Sequence, residues 1–368
     1  MPVLREWRHS YRLATGPENI ARAKLARDSG CKSGEHDFPD QCRQKRLVVK
    51  GLGNRMLTYI LRRLLATIPV MLIVAIIVFS LLFFSPGDPA ITLAGEHATT
   101  EEVESIRLKL GLNEPFLSRF TSWFGGILQG DLGTSIFSGR SVMSLIVQRL
   151  EPTILLTLCS LALAVAIALP LGIIAAWRAG SWVDRMAMGF AVLGFSLPVF
   201  VLSYVLILIF SSKLGWFPVQ GYTPISEGFL PFLRHMALPA LALGIVYAAL
   251  IARITRASML DVLNQDYIRT AKAKGLAIAP ILIGHALKNA AIPIVTVIGI
   301  GFALLISGVV VTETVFNIPG VGRLTVDAIL RRDYPVIQGV ILIFSACYVL
   351  VNLLVDLSYG LFDPRVRY

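Results

Sequence analysis

Six stretches of this 368-residue sequence contain no Asp, Glu, Lys, Arg or His: 64–85, 153–177, 186–210, 236–252, 290–311 and 336–355. Charge-coupled transport places ionisable groups inside the membrane, where each costs about 2.5–3.5 kcal/mol on insertion scales and marks a relay. Their absence argues against proton or sodium coupling. The chain also lacks any G-x-x-x-x-G-K-[ST] cradle for nucleotide phosphates and has no Gly-Lys pair at all. Any ATP-driven work it takes part in must draw on hydrolysis by another chain. No H-E-x-x-H is present, and the five histidines (His9, His36, His97, His235, His285) are scattered. A membrane-embedded enzyme needs clustered ligands or a nucleophile beside its base. Ser160, Ser196 and Ser203 lie in apolar runs without such a base, and helix-to-helix hydrogen bonding is their expected role. Four cysteines give no disulfide framework and no zinc-finger spacing.

What remains is apolar. Hydrophobic residues make up 55% and charged residues 15% of the chain, with mean hydropathy +0.70. Soluble domains carry about 25% charge. Each of the six runs is long enough to cross a ~30 Å hydrocarbon layer. An all-α integral membrane protein with six transmembrane helices is the expected fold. Basic residues set the orientation. Arg62 and Arg63, Arg178 and Arg185, the block 253–288, and Arg365 and Arg367 fall on one side if both termini are cytoplasmic. Arg323, Arg331 and Arg332 run against that bias. The net charge of +11 follows from basic flanks of spans, and no nucleic-acid role is expected.

Residues 1–55 are polar and basic, with 12 Lys/Arg against 6 Asp/Glu and no sustained periodicity. Two readings stand side by side: a disordered cytoplasmic tail, or a start codon placed too early, with Met56 opening the orderly part. Arg62-Arg63 before an apolar run suggests a signal anchor rather than a cleaved export signal, on length. In the large loop 86–152, Thr99 and Glu102 predict a capping box opening a helix over 101–110 that Gly111 ends. A second helix is predicted over 116–128, with Phe116, Phe120, Trp123, Phe124 and Ile127 on one face. That face suits a membrane interface, a channel mouth or a packed surface domain.

The 253–288 segment reads RITRASMLDVLNQDYIRTAKAKGLAIAPILIGHALK, with six Lys or Arg against two Asp. It predicts an amphipathic helix over 263–275. Met259, Leu260, Leu263, Tyr267 and Ala271 share one face; Gln265, Arg269 and Lys272 take the other. Gly275 is placed to end the helix at C′. Such a helix on a basic loop suits contact with a soluble partner.

DYIRTAKAKG, followed by HALKNAAIP from His285 to Pro293, resembles the signature loop of binding-protein-dependent ABC importer permeases, in the dipeptide, oligopeptide and nickel branch. SPGDPA at 85–90, GDLGTS at 130–135 and ETVFNIPGVGRL at 313–324 resemble further segments of that branch, in the same order. Arg269, Thr270 and Ala271 stand where the general signature has Glu-Ala-Ala, and the proline comes late, at Pro293; both look normal for the peptide branch. The resemblance implies the type I permease fold in a bacterial inner (plasma) membrane, multi-pass, surrounded by lipid. It divides the chain into an extension (1–55), a first span with a large periplasmic loop (56–152), a permease core (146–357) and a cytoplasmic tail (358–368). It implies a second homologous permease subunit, two cytoplasmic ABC ATPase subunits and a periplasmic solute-binding protein as partners, with no cofactor and no metal. It assigns ATPase coupling to Leu263, Asp266, Tyr267, Arg269, Thr270, Ala271, Lys272, Lys274, Gly275 and His285. It marks Glu313, Phe316, Pro319, Gly320 and Gly322 as an outer segment, expected to fold back as a gate or docking surface or to serve as a plain connector. The implied function is one half of the pathway of an ATP-driven importer of di- or oligopeptides. Nickel or glutathione transport is the alternative within the branch. A stand-alone channel or secondary carrier, a membrane-embedded enzyme or a structural scaffold are the alternatives outside it.

Overall fold

The computed structural model describes residues 63–80, 89–94, 98–109 and 113–362. The extension 1–55, Arg62, most of the 85–90 motif, the stop at Gly111 and the arginines at 365 and 367 lie outside them. The described residues are helical with no β-strand. In order they form α1 (Arg63–Ser80), α2 (Pro89–Ala94), α3 (Thr100–Lys109), α4 (Phe116–Leu128), α5 (Val142–Trp177), α6 (Trp182–Ser196) and α7 (Val199–Leu206). Then come α8 (Phe229–Leu263), α9 (Asp266–Ala273), α10 (Ala291–Val315), α11 (Val321–Arg331) and α12 (Tyr334–Phe362). Helices at Arg63–Ser80, Val142–Trp177, Phe229–Leu263 and Tyr334–Ser358 are each long and apolar enough to cross a bilayer. Two bent pairs bring the number to six if each pair is one span.

The third apolar run, 186–210, is the first such pair. It breaks between α6 and α7 with a bend of 104°. Proline explains the break. Pro198 has no N–H to continue the ladder and pushes the residue before it out of the helical region. Leu197 accordingly sits at ψ 125. After α7 the chain continues through a π-helical turn, Ile207–Lys213. The second pair joins a π-helical segment, Pro280–Leu287, to α10 at 75°.

Two helices overrun their apolar runs. α5 begins 11 residues before the run at 153, because Val142, Leu145 and Ile146 form a buried stripe at i, i+3 and i+4. Its 36 residues reach about 54 Å. α8 extends past both ends of 236–252 and carries Pro239 within it. These two helices pack through small residues. A Cβ at Gly172 would lie 2.7 Å from Thr255 Cβ and 2.8 Å from the Ala252 carbonyl oxygen, so the backbones approach closely only with glycine there. Gly244 lies against Leu163 and Ser160. Leu156, Ala164, Ala168, Leu243, Ala248 and Ile251 are among the buried residues of this core.

The predicted capping box forms. Glu102 N–H donates to Thr99 Oγ1 at 3.3 Å, and Thr99 N–H donates to Glu102 Oε2 at 2.8 Å. The Thr99 N–H, and then Thr99 Oγ1 donating to Glu102 Oε2 at 3.1 Å, hold the Glu102 carboxyl below its usual value. α4 occupies the predicted 116–128. Its aromatic face packs on α1: Phe79, itself buried, has ring centroids 5.3, 5.4 and 5.2 Å from Phe116, Phe120 and Trp123.

Candidate functional site

Two clusters at opposite ends of α10 hold the residues singled out in the sequence. α10 has 25 residues, about 37 Å of helix. Ala290 and Ile294 at its start pack with α9, and Thr312 and Glu313 at its end are buried beside α11.

At the first end the helix differs from the 263–275 expectation. Met259, Leu260 and Leu263 belong to α8, which ends at Leu263. Gln265 is extended (ψ 150), and α9 starts afresh at Asp266. The buried positions of α9 are Ile268 and Ala271, at i and i+3, rather than Tyr267. Tyr267 is 45% exposed. The reason is the break: a wheel drawn through Asn264 and Gln265 carries the wrong phase past them. Ile268 and Ala271 belong to one buried cluster with Ala176 of α5, Met259 of α8, Ile281 and Ala286 of the 280–287 segment, and Ala290 and Ile294 at the start of α10; the 280–287 segment is the main neighbour of α9.

Everything else on α9 faces out. Asp266, Arg269, Thr270, Lys272, Lys274 and Gly275 are exposed, as is His285 on the following π-helical segment. Leu263 is half-buried at the end of α8. An exposed ion pair, Arg269 to Asp266 at 3.6 Å, crosses the first turn. The stop is the predicted one. Gly275 has φ +77, its N–H donates to Lys272 O at 3.0 Å, and Leu276 N–H donates to Ala271 O at 3.3 Å. That pair of bonds is the Schellman ending, which favours glycine at its left-handed position. The result is a short charged helix held by two buried side chains against the junction of three long helices.

At the other end, Glu313 is fully buried. Its Oε1 accepts from Thr153 Oγ1 at 2.6 Å, and its Oε2 accepts from Arg323 N–H at 2.9 Å. Thr153 Oγ1 in turn accepts from Val321 N–H at 2.8 Å. The carboxylate and the hydroxyl therefore occupy the free N–H groups at the start of α11. Glycine is required for this approach. A Cβ on Gly320 would collide with the Glu313 carboxylate, and one on Gly322 would lie 2.6 Å from Val310 Cα. Phe316 and Ile318 are buried in the main core, and Pro319 is exposed at the turn. Phe316 O accepts from Gly221 N–H at 2.9 Å. The segment thus doubles back on α10 and α5.

The 130–135 motif reaches the same end. Ser135 Oγ donates to Asp333 Oδ2 at 2.5 Å, and Ile136 N–H donates to Asp333 Oδ1 at 3.2 Å. Leu132 of this motif also shares a buried cluster with Val321 and Leu324 of the 313–324 segment. Thr153, Asp333 and Ile268 were not among the residues the sequence singled out. Thr153 and Asp333 act through partners 160 and 198 residues away, beyond any local pattern.

Residues 168–368 match the family described as binding-protein-dependent transport system inner membrane component. Residues 56–157 match the N-terminal region of such membrane components. A probable peptide ABC transporter permease protein of Sinorhizobium fredii is 54% identical over 310 residues, 84% of this chain and 99% of that protein. A glutathione transport system permease protein of Pectobacterium atrosepticum is 47% identical over 314 residues, covering 85% and 100%. The MetNI methionine ABC transporter in an inward-facing conformation shares the fold, with TM-score 0.51 and 18% identity over 60% of this chain and 97% of that one. The family is one of transport permeases rather than enzymes, and this chain belongs to it: it is a multi-pass inner-membrane permease component of the binding-protein-dependent ABC importers.

Proposed function

We propose that this chain forms half of the translocation pathway of an ATP-driven importer of di- or oligopeptides, with glutathione as the alternative solute. The relatives named for peptide and glutathione transport support that substrate class. In this reading a second, related permease completes the pathway and two ATPase subunits power it, one docking on α9 of this chain. A solute-binding protein delivers solute at the α11 end. Both termini are cytoplasmic, which puts α9 on the cytoplasmic side and α11 on the outer side; the basic bias of the 253–288 loop supports that orientation. The exposed apolar residues of α1, α6, α7 and α12, among them Ile68, Val192, Phe200 and Leu350, are the surface that lipid and the second permease cover.

The observation that carries the coupling role is the construction of α9. Its charged face is exposed, it packs on the 280–287 segment that leads into α10, and its two buried side chains share one apolar cluster with residues of α5, α8 and α10, so in this reading a push on α9 is passed to that cluster. The test is reconstitution with the permease, ATPase and binding-protein subunits encoded beside this chain. Uptake of a labelled dipeptide that requires both ATP and binding protein is expected. Uptake of glutathione but not of the peptide selects the alternative solute. Uptake that proceeds without ATP refutes the reading in favour of a channel or carrier.

A further inference from the structure

Small-residue interfaces hold helices close without fixing how far one lies along another, because apolar burial is non-directional. The contacts of α8 with α5 and α6 are of this kind: Gly172 against Thr255, and Gly194 against Ala249 and Ile245. At one point near α9 the contact is of a different kind. Asp184, in the first turn of α6, is 4% exposed. Its Oδ1 accepts from Arg256 Nε at 2.5 Å, and its Oδ2 accepts from Arg256 Nη2 at 2.7 Å. Gly180 N–H, in the α5–α6 turn, donates to the same Oδ2 at 2.9 Å. Ser181 Oγ accepts from Asp184 N–H at 3.4 Å and caps the helix. One carboxylate therefore ties the α5–α6 turn, the start of α6 and the stem of α8 together.

The position of Arg256 gives this tie a direction. It lies two turns before α8 ends at Leu263, and α9 opens three residues later at Asp266. Met259, in the intervening turn, lies in the same buried cluster as Ile268 and Ala271 of α9. A two-pronged guanidinium–carboxylate contact adds a directional restraint in its plane to the resistance that close packing already gives. A largely buried ion pair is also weak as a stabiliser, since apolar replacements of similar volume are often neutral or better. Its value here is geometric.

We propose that Asp184 and Arg256 are positioning residues that fix α6 to α8 in register, so that displacement of α9 moves the bent α6–α7 span with it rather than slipping past it. This rests on the reading of α9 as the ATPase-docking helix. Without the pair, the ATPase subunits still bind and hydrolyse ATP, but less of each stroke reaches the pathway.

The test is the ratio of solute taken up to ATP hydrolysed in proteoliposomes holding the complete importer. Asp184→Asn and the apolar double replacement Asp184→Leu with Arg256→Met are expected to lower that ratio about fivefold to tenfold, the low end of a coupling free energy between sites. The exchange Asp184→Arg with Arg256→Asp restores part of the loss. Arg256→Lys keeps the charge without the fork and gives an intermediate ratio, and it serves if Asp184→Asn does not assemble. A merely structural pair predicts instead that the apolar double variant, once assembled, couples as well as wild type; that result overturns the proposal. So does an exchange variant no better coupled than Asp184→Asn. A wild-type complex without ATP-driven uptake refutes the importer reading and this role together. A normal wild type with unaltered ratios in all variants refutes the role alone.

Discussion

At the residue scale, glycine and buried polar side chains do the specific work. Gly275 sits at φ +77 with open space around it, so a substitution there strains the backbone rather than clashing, by about 1–2 kcal/mol. Gly275→Trp is expected to leave assembly with the ATPase subunits intact and to lower solute-dependent ATP hydrolysis; uptake at the wild-type rate from equal amounts of protein would remove α9 from the coupling role. Thr153 is a second such residue. It donates to Glu313 and accepts from Val321 N–H. Thr153→Val leaves a buried carboxyl group short of one partner and an N–H unpaired, and a buried polar group left unsatisfied costs about 1–3 kcal/mol. A lower Tm in detergent is the expected result, with an unchanged Tm showing that water replaces the hydroxyl.

At the element scale, α3 offers a pH prediction. The folded Glu102 carboxyl titrates below its ordinary value because Thr99 N–H, then Thr99 Oγ1, hydrogen-bond it. A depressed folded pKa contributes stability above the unfolded value and loses it as pH falls through the folded one. The protection of α3 amides, corrected for the intrinsic pH dependence of exchange, is therefore expected to fall on acidification below the ordinary carboxylate range, and Glu102→Gln should flatten that dependence. The segment from Glu313 to α11 invites a different measurement. Cysteines at Asn317, which is exposed, and Asp327, which is half-buried, should react with a membrane-impermeant thiol reagent from outside. Reactivity that changes on adding binding protein or ATP supports a gate or docking role. Reactivity from outside that ignores both reduces the segment to a connector, and reactivity from the cytoplasmic side alone reverses the orientation.

At the scale of the whole molecule, the family match begins at residue 56. A chain starting at Met56 is expected to insert and transport normally, read by uptake in cells lacking the full-length chain. Lost insertion or uptake would assign the first 55 residues a necessary part. The long helices α5 and α8 set the frame for the rest. Each exceeds the roughly 20 residues that span a hydrocarbon core, and their overhanging turns carry the contacts to α9 and α11. Val142, Leu145 and Ile146 pack with α11, and Met259 packs with α9. The candidates on α9 and α11 thus share buried clusters with the overhanging turns of the two most closely packed helices.

The apolar runs, the capping box at Thr99, the α4 boundaries and the Gly275 stop were all legible in the sequence because each rests on local causes: hydropathy, a three-residue spacing, a left-handed glycine. Legibility ended where the cause was distant. The wheel through 259–271 failed at Asn264–Gln265, where the chain changes direction before α9. The run at 186–210 hid a right-angle bend at Pro198, since hydropathy counts apolar residues and is blind to the helix axis. Glu313 was noticed only through resemblance, and its partner Thr153 lies 160 residues away. Asp184 and Arg256, 72 residues apart, carry no pattern that links them. The sequence alone determined that this chain lies in a membrane, through six long runs without ionisable residues, and which family's loops it bears. Tertiary structure alone decided which polar side chains meet, because a buried hydrogen bond or ion pair is specified by three-dimensional proximity and direction, and neither is encoded in the spacing of residues along the chain.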